Sequence, residues 1–286
     1  MIGIVVVSHS RLLARAAVAL AAEMLHEQRV RIEVAAGLDE QTFGTDAVAV
    51  AEAIVAADAG DGVLVLMDMG SAVLSAELAL ELLDPPHRVR LCAAPIVEGL
   101  IAASVSAAGG ADLDEAAGEA VHALLGKRAH LGELDPTMDG GESAAVAAGS
   151  ESDLDHRAVD TFVVTTAHGL HARPAARLVA AVRRLGVPVM LRNLTTGAGP
   201  ASGTSLTRIA ALGALTGHEI EVVARGPGAR SAVDQVLAVA LRGFGEAPAT
   251  ASVASAAQSV DACSEFSDTA PFGGHRDRPG VAARHR

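Results

Sequence analysis

The stretch IGIVVVSHSRLLARAAVALAAEML, residues 2–25, changes from one apolar pattern to another near its middle. Residues 2–7 form a short continuous apolar run, which is typical of a buried parallel strand. Ser10 then stands where a helix N-cap is expected. The apolar residues that recur on one face of the following helix are Leu12, Ala16, Leu20 and Met24. A strand that leads directly into a helix begins a strand–helix–strand unit, so these residues predict an α/β fold.

The same alternation continues to residue 125. Further apolar runs cover residues 31–36, 62–68 and 89–94. Helical stretches lie between them, at 45–57 and from Ser71 to a stop at Asp84-Pro85-Pro86. Residues 1–125 are therefore predicted to form an α/β doubly wound, mostly parallel sheet.

Residues 159–245 follow a different order. Predicted strands cover 161–166, 187–193 and 219–225, and predicted helices cover 172–184, 205–211 and 229–243. The order is β-α-β-β-α-β-α, with one strand in addition to these three ranges, and it predicts an α+β domain with helices on one side of the sheet. Residues 126–158 are polar, acidic and rich in Gly and Ser, so a flexible linker is expected there. Residues 246–286 are of low complexity and are expected to form a disordered tail.

The composition excludes several classes of function. A net charge of −12 and an aromatic content of 2% disfavour nucleic-acid binding, because phosphate backbones attract basic surfaces and bases stack on aromatic rings. Charges or glycines interrupt every apolar stretch before the roughly 18–20 residues that a membrane span needs. The N-terminus lacks the basic region and cleavage site of a signal peptide, so we expect a cytoplasmic protein. Histidines and cysteines show no metal-ligand spacing, and no nucleotide-binding loop is present, so neither a metal nor a cofactor is expected.

The stretch HGLHARPAARLV, residues 168–179, predicts an anion site at a helix start. Proline is tolerated only in the first turn, so Pro174 places the helix start at about Ala172 and His171 at or beside the N-cap. The first backbone N–H groups, including that of Ala172, then point outward and favour an anion. Arg173 can add a guanidinium for phosphate, and a neutral imidazole is a competent nucleophile near pH 7. A structural capping role for His171 is the alternative.

A second candidate site lies at the ends of two strands of the first domain. His9 follows the first strand and Asp68 ends the third. A 2-1-3-4 strand order would bring them together at the carboxyl edge of the sheet, where ligands of such folds bind. The carboxylate would then fix the tautomer of the imidazole, and Ser71 could donate a hydrogen bond to a phosphoryl group. A solvated histidine and a capping aspartate would explain the same residues.

The motif around His171 resembles the active site of HPr, the histidine phosphocarrier of the bacterial phosphotransferase system. The resemblance covers residues 159–245 and includes SLTRIAALGAL, residues 205–215. It implies an HPr-like open-faced sandwich in which His171 carries phosphate beside Arg173. His168 departs from the asparagine that the family more often has. Ser205 aligns with a regulatory serine of the family, but the preceding Gly203-Thr204 is not its usual context, so regulation is not expected there.

Residues 1–125 resemble the mannose-type IIA domains found in the phosphotransfer subunits of phosphoenolpyruvate-dependent dihydroxyacetone kinases. The segments MDMGSA, residues 67–72, and CAAPIVEG, residues 92–99, are characteristic of that family. The resemblance implies that His9 is a second phosphohistidine and that the domain forms a homodimer.

Together the two resemblances imply a phosphotransferase. Phosphate would pass from enzyme I to His171, to His9, and then to ADP on the ADP-binding (L) subunit of the kinase, which works with a substrate-binding (K) subunit. Two alternatives remain open. One is the IIA component of a mannose-type sugar transporter, and the other is a non-enzymatic regulatory module.

Overall fold

The N-terminal half is built around a parallel sheet. The computed structural model describes residues 1–25, 30–133 and 157–245. The strands described before residue 134 are β1 (Gly3–Ser8), β2 (Ile32–Ala36), β3 (Val63–Met67) and β4 (Val89–Cys92). They pair in parallel in the order β2-β1-β3-β4, which confirms the predicted doubly wound sheet. The direction in which strands are added reverses between β1 and β3, the position where such folds place their sites.

Helices cover both faces of this sheet. They are α1 (Arg11–Leu25), α2 (Ala47–Ala57), α3 (Gly70–Glu81), α4 (Ile96–Ala108), α5 (Leu113–Val121) and α6 (Leu125–His130). Ile4 and Val6 of β1 pack in one core cluster with α1, α4 and α5. Val5 and Val7 pack in another with α2 and α3. Burial on both faces explains why the strand reads as a continuous apolar run.

The buried face of α1 differs from the face that the sequence predicts. Leu12 is 70% exposed and Leu20 is 44% exposed. The residues that α1 buries are Ala14, Ala17 and Ala21. Alanines allow a helix to approach a sheet and a neighbouring helix closely, whereas leucines at these positions would hold the elements apart. The prediction assigned the larger side chains to the buried face, but α1 packs so closely that it buries the smaller ones.

The C-terminal half contains an antiparallel sheet with helices on one side. Its elements are β5 (Arg157–Val163), α7 (Ala172–Leu185), β6 (Val189–Asn193), β7 (Ala201–Ser202), α8 (Leu206–Ala211), β8 (Glu219–Arg225) and α9 (Ala229–Leu241), followed by a short 3-10 turn. The strand order is β5-β8-β6-β7. The predicted α+β sandwich is confirmed, and the predicted apolar stripe of the last helix supplies Val233, Val236, Ala240 and Phe244 to the core.

The predicted linker and tail fall mostly outside the described residues. These are residues 134–156 of the expected linker and all of the expected tail at 246–286. The start of the expected linker differs from the prediction, because α6 is helical. Its last turn carries Lys127 and Arg128, which favour a helix C-terminus, and Lys127 forms an ion pair with Glu98 of α4.

The helices of the two halves pack against each other. Helices α7 and α8 of the C-terminal half contact α1, α4 and α6 of the N-terminal half. Ala102 and Val105 of α4 belong to the same buried cluster as the core of the C-terminal half. At the contact of α6 with α8, a Cβ atom on Gly126 would lie 2.8 Å from the Cβ of Ala210. We call the contacting surfaces the interdomain face.

A pair of glycine substitutions tests the packing of α2 on β1. A Cβ atom on Gly3 would lie 2.2 Å from the backbone oxygen of Ala57, whereas a Cβ on Gly118 of α5 would meet nothing within 4 Å. We expect Gly3→Ala to lower the free energy of unfolding by about 1–3 kcal/mol through overpacking. Gly118→Ala is the control, and it should be neutral or stabilising by up to about 1 kcal/mol. Urea unfolding of both variants checks this, and equal effects would contradict it.

Candidate functional site

The pairing of β1 with β3 places His9 beside Asp68. Val7 is opposite Met67 in the parallel register, so the residues that follow the two strands emerge at the same edge of the sheet. The Asp68 amide donates to the Val7 carbonyl at 3.2 Å, which continues the ladder beyond the strand. His9 then precedes α1, and its carbonyl accepts the Gly44 amide at 3.0 Å. The backbone therefore holds His9 at the carboxyl edge, as the sequence predicts.

Asp68 binds His9 through both carboxylate oxygens. Its Oδ1 lies 3.0 Å from His9 Nδ1, and its Oδ2 accepts the His9 amide at 2.8 Å. The Asp68 side chain is only 9% exposed. Burial raises the pKa of this carboxyl, but the hydrogen bonds from the His9 amide, the His9 ring and Ser8 together outweigh burial, so the pKa of Asp68 lies below its usual value. An ionised carboxylate accepts hydrogen bonds only, so it favours the imidazole tautomer that carries its proton on Nδ1.

The other ring nitrogen of His9 faces the start of α3. Ser71 Oγ lies 2.9 Å from His9 Nε2. In the tautomer that Asp68 favours, Nε2 holds the lone pair and the Ser71 hydroxyl donates to it. The N-cap of α3 is Met69, whose side chain makes no capping bond. The amides of Gly70 and Ser71, in the first turn of α3, have no acceptor within the helix, and such a helix start favours an anion beside His9.

Ser8 is a site residue that the sequence analysis missed. Its hydroxyl donates to Asp68 Oδ2 at 2.9 Å and accepts the Ser10 amide at 3.1 Å. Ser8 is fully buried. It therefore holds the carboxylate through Oδ2, while the His9 ring is bound to Oδ1. The sequence feature that could have identified Ser8 is its position, as a polar residue at the end of an otherwise apolar buried strand.

His171 is the N-cap residue of α7. Its carbonyl accepts the Ala175 amide at 3.0 Å, and its side chain makes no capping bond. Pro174 lies in the first turn, as predicted, and the amides of Ala172 and Arg173 have no acceptor within the helix. The loop before the helix is held by Gly169, whose φ of +73° and close approach to the Ala214 carbonyl exclude a side chain. The ring centroid of His168 lies 6.2 Å from that of His171.

Arg173 contacts the N-terminal half of the chain. Its guanidinium Nη2 lies 3.4 Å from Glu23 Oε2, near the end of α1. The sequence predicted Arg173 as a phosphate ligand beside His171. The structure thus gives this arginine a carboxylate partner that the sequence did not predict.

Comparison with known families adds to this geometry. Residues 3–117 match the family described as PTS system fructose IIA component, and residues 159–240 match the one described as PTS HPr component phosphorylation site. Each match contains one of the two candidate histidines, and together they account for both sheets. Residues 3–117 are thus similar to IIA domains and residues 159–240 to HPr domains of the phosphotransferase system, and we call the two halves of the chain the IIA domain and the HPr domain.

Curated proteins align with most of the chain, across both halves. The chain is 42% identical over 265 residues to the phosphoryl donor subunit DhaM of the PEP-dependent dihydroxyacetone kinase of Pantoea ananatis, covering 91% of this chain and 54% of that protein. It is 42% identical over 250 residues to DhaM of Escherichia coli K12, covering 86% of this chain and 51% of that protein. The chain thus spans about half the length of these relatives. A solved HPr from Bacillus anthracis is 25% identical, with a TM-score of 0.28, and the match covers 29% of this chain and 96% of that one.

The IIA domain and the HPr domain each carry a histidine beside the N-terminus of a helix. The structure brings His9, Asp68 and Ser71 together as the sequence predicts. It places His171, Ala172 and Arg173 at the start of α7, also as predicted. Their roles in phosphoryl transfer remain predictions. Within the described ranges there is no group of three or more residues suited to hold a metal ion, and no helix long and apolar enough to cross a membrane.

Asp68→Asn should change the tautomer of His9. Without a carboxylate on Nδ1, we expect a larger fraction of rings protonated on Nε2 and a loss in the rate of phosphoryl transfer to His9 on the order of 100-fold. Nitrogen-15 NMR of the imidazole measures the tautomer. His87, whose Nδ1 lies 2.7 Å from Asp58 Oδ2, is an internal control. Its signals should stay unchanged in Asp68→Asn and respond to Asp58→Asn. An unchanged His9 tautomer would remove this role from Asp68.

The same substitution should alter how stability depends on pH. The pKa of Asp68 is depressed in the folded chain, so its ionised form stabilises the fold above the unfolded value of about 3.9. That contribution is lost as the pH falls through the folded pKa. The difference in unfolding free energy between the unsubstituted chain and Asp68→Asn should therefore shrink between about pH 6 and about pH 3. The exposed Glu52→Gln serves as the control in urea unfolding, and a constant difference for Asp68→Asn would refute the assignment.

Proposed function

We propose that this chain is the phosphoryl donor subunit of a phosphoenolpyruvate-dependent dihydroxyacetone kinase and acts as a two-histidine relay. Phosphate enters at His171 from enzyme I and moves to His9. It then leaves to ADP held on the ADP-binding (L) subunit, which works with the substrate-binding (K) subunit. The observation that carries the proposal is the arrangement at His9. Its Nδ1 is bound to Asp68, and its Nε2 is directed toward the amides and hydroxyl at the start of α3.

At His171 the proposed acceptor is an imidazole beside uncapped amides. A phosphoryl group on the ring would lie near the N–H groups of Ala172 and Arg173, where the helix dipole favours negative charge. The guanidinium of Arg173 would add a fixed positive charge when it turns away from Glu23. Once phosphorylated, His171 is a good leaving group for the next transfer. The phosphorus–nitrogen bond breaks and its electron pair returns to the imidazole nitrogen.

Transfer to His9 uses the lone pair on Nε2. Nε2 forms a bond to the phosphorus as the bond between phosphorus and the His171 nitrogen breaks. The His9 ring then carries the phosphoryl group on Nε2 and keeps its proton on Nδ1, and the resulting positive charge faces the Asp68 carboxylate at 3.0 Å. The Ser71 hydroxyl, which donates to Nε2 beforehand, becomes a donor to a phosphoryl oxygen.

The partners and compartment follow from this proposal. The similar DhaM proteins are phosphoryl donor subunits of a kinase, which supports a nucleotide-carrying kinase subunit as the acceptor. The resemblance to mannose-type IIA domains supports a homodimer formed through the N-terminal domain. A relay charged by enzyme I acts in the cytoplasm. The acidic net charge of −12 disfavours a nucleic-acid partner.

Two alanine substitutions test the order of the relay. His171→Ala should abolish labelling of the chain from enzyme I and phosphoenolpyruvate, because the first acceptor is missing. His9→Ala should still be labelled at His171 but transfer nothing to the kinase subunits. His87→Ala, which removes a histidine paired with Asp58, is the control. It should leave both the labelling of the chain and the transfer to the kinase subunits unchanged. Undiminished flux to dihydroxyacetone in either active-site variant, with no other HPr present, would refute the relay.

A further inference from the structure

The HPr domain is docked on the IIA domain through α7. The last turn of α1 contributes Met24 and Leu25, and the last turns of α4 contribute Val105 and Ala108, to a region that also includes Ala180 of α7. At the C-terminal end of α7, Arg183 donates to Ser106 Oγ at 3.2 Å. The helix thus lies across the ends of α1 and α4.

The polar contacts of the interdomain face join acidic groups of the IIA domain to the HPr domain. Glu23 contacts Arg173 at 3.4 Å, and Glu115 lies 3.8 Å from Arg183. Glu119 accepts hydrogen bonds from the Thr207 amide at 3.2 Å and from the Thr207 hydroxyl at 3.1 Å. The opposite charges make the two surfaces complementary, so this face of the IIA domain fits the HPr domain of its own chain.

In this docked arrangement, His9 lies at one end of the IIA domain, and the start of α7, which carries His171, lies near the opposite end. His9 lies at the carboxyl edge of the sheet, just before α1 begins at Arg11. The partner of Arg173 is Glu23, in the last turn of the same helix. At a rise of about 1.5 Å per residue, Arg11 and Glu23 are about 18 Å apart along the axis. Phosphoryl transfer needs reacting atoms within about 3–3.5 Å. His171 therefore cannot reach His9 while α7 occupies this position.

The interdomain face has properties of a separable contact. An open groove of about 690 Å³ runs along the contact of α7 with the ends of α1 and α4, so this edge of the contact lacks the close packing of a buried core. Its lining includes Arg184 and Arg242 beside apolar residues. Glu23 and Glu115, which supply two of the ion pairs, are mostly exposed side chains, so those pairs contribute little.

We propose that the interdomain face is an inhibitory docking surface whose partner is the chain's own HPr domain. Docking keeps His171 away from His9 and binds Arg173 to Glu23, and release of the HPr domain permits transfer within the chain. This inference rests on the proposed relay. It adds that undocking precedes the transfer from His171 to His9.

A reversible crosslink between α4 and α7 tests the inference. A Cβ on Gly109 would lie 2.3 Å from the Cδ of Arg183. Since that Cδ is two bonds from its Cβ, cysteines at both positions would have Cβ atoms within about 5 Å, which reaches the disulfide range. The variant is Gly109→Cys with Arg183→Cys in a Cys263→Ser background, and Gly109→Cys alone is the control. Labelling of His9 is followed at nanomolar concentration with enzyme I and phosphoenolpyruvate, so that transfer between molecules that are not part of one dimer is negligible.

We expect oxidation to lower the rate of His9 labelling on the order of 100-fold or more, and reduction to restore it. The same crosslink in a His9→Ala background should still allow labelling of His171, which shows that loading is intact. Equal His9 labelling in the oxidised and reduced forms would overturn the docking inference while leaving the relay in place. Failure of the reduced form to label His9 would instead overturn the relay.

A second variant tests the inference without a crosslink. Glu119→Ala removes both hydrogen bonds to Thr207 without touching either histidine. Loss of one to two kcal/mol of docking corresponds to roughly a 5–30-fold increase in the rate of transfer from His171 to His9. Glu52→Ala, on α2 at the opposite face of the sheet, is the matched control and should leave the rate unchanged. A rate for Glu119→Ala equal to or below that of the control would contradict inhibitory docking.

Discussion

The parallel pairing of β1 with β3 is the constraint on which the site depends. Because Val7 is opposite Met67, the residues that follow the two strands emerge side by side, and the amide and ring of His9 can both bind the Asp68 carboxylate. The carboxylate is buried, and it is stabilised by the His9 amide and by Ser8 as well as by the imidazole. One register therefore fixes the position of the ring, its tautomer and the nitrogen that faces the start of α3. A slip of one residue would turn every side chain of the strand to the other face.

The two histidines use the same physical device with different supporting charges. Each stands next to a helix whose first amides lack a side-chain cap, at Met69 for α3 and at His171 for α7. Such amides bind anions without a dedicated cation. His9 has a carboxylate behind it, which stabilises positive charge on the ring. His171 has Arg173 beside it, which in the proposed relay would stabilise the phosphoryl group instead. This difference suits a relay in which phosphate moves from an exposed carrier to a more firmly held acceptor.

Docking of the HPr domain adds a level of control that follows from packing alone. Small residues such as Gly109, Gly126 and Ala210 allow the helices of the two domains to approach closely. The contact nevertheless borders an open groove and includes exposed charges, so its two surfaces are complementary without forming a permanent core. A tethered domain that can dock in one place and react in another separates loading from transfer, and the balance between the two states then sets the flux.

The sequence by itself determined the alternation of strands and helices, both fold classes and the two histidines, because these depend on local periodicity and on short motifs around His9 and His171. Proline in the first turn of α7 fixed its start for the same local reason. The sequence did not determine which face of α1 is buried, since closeness of packing favoured Ala14, Ala17 and Ala21 over the leucines. It also could not show the role of Ser8 or the partner of Arg173. Those contacts join residues far apart in the chain, 60 positions for Ser8 and Asp68 and 150 for Arg173 and Glu23, so only the tertiary structure decided them.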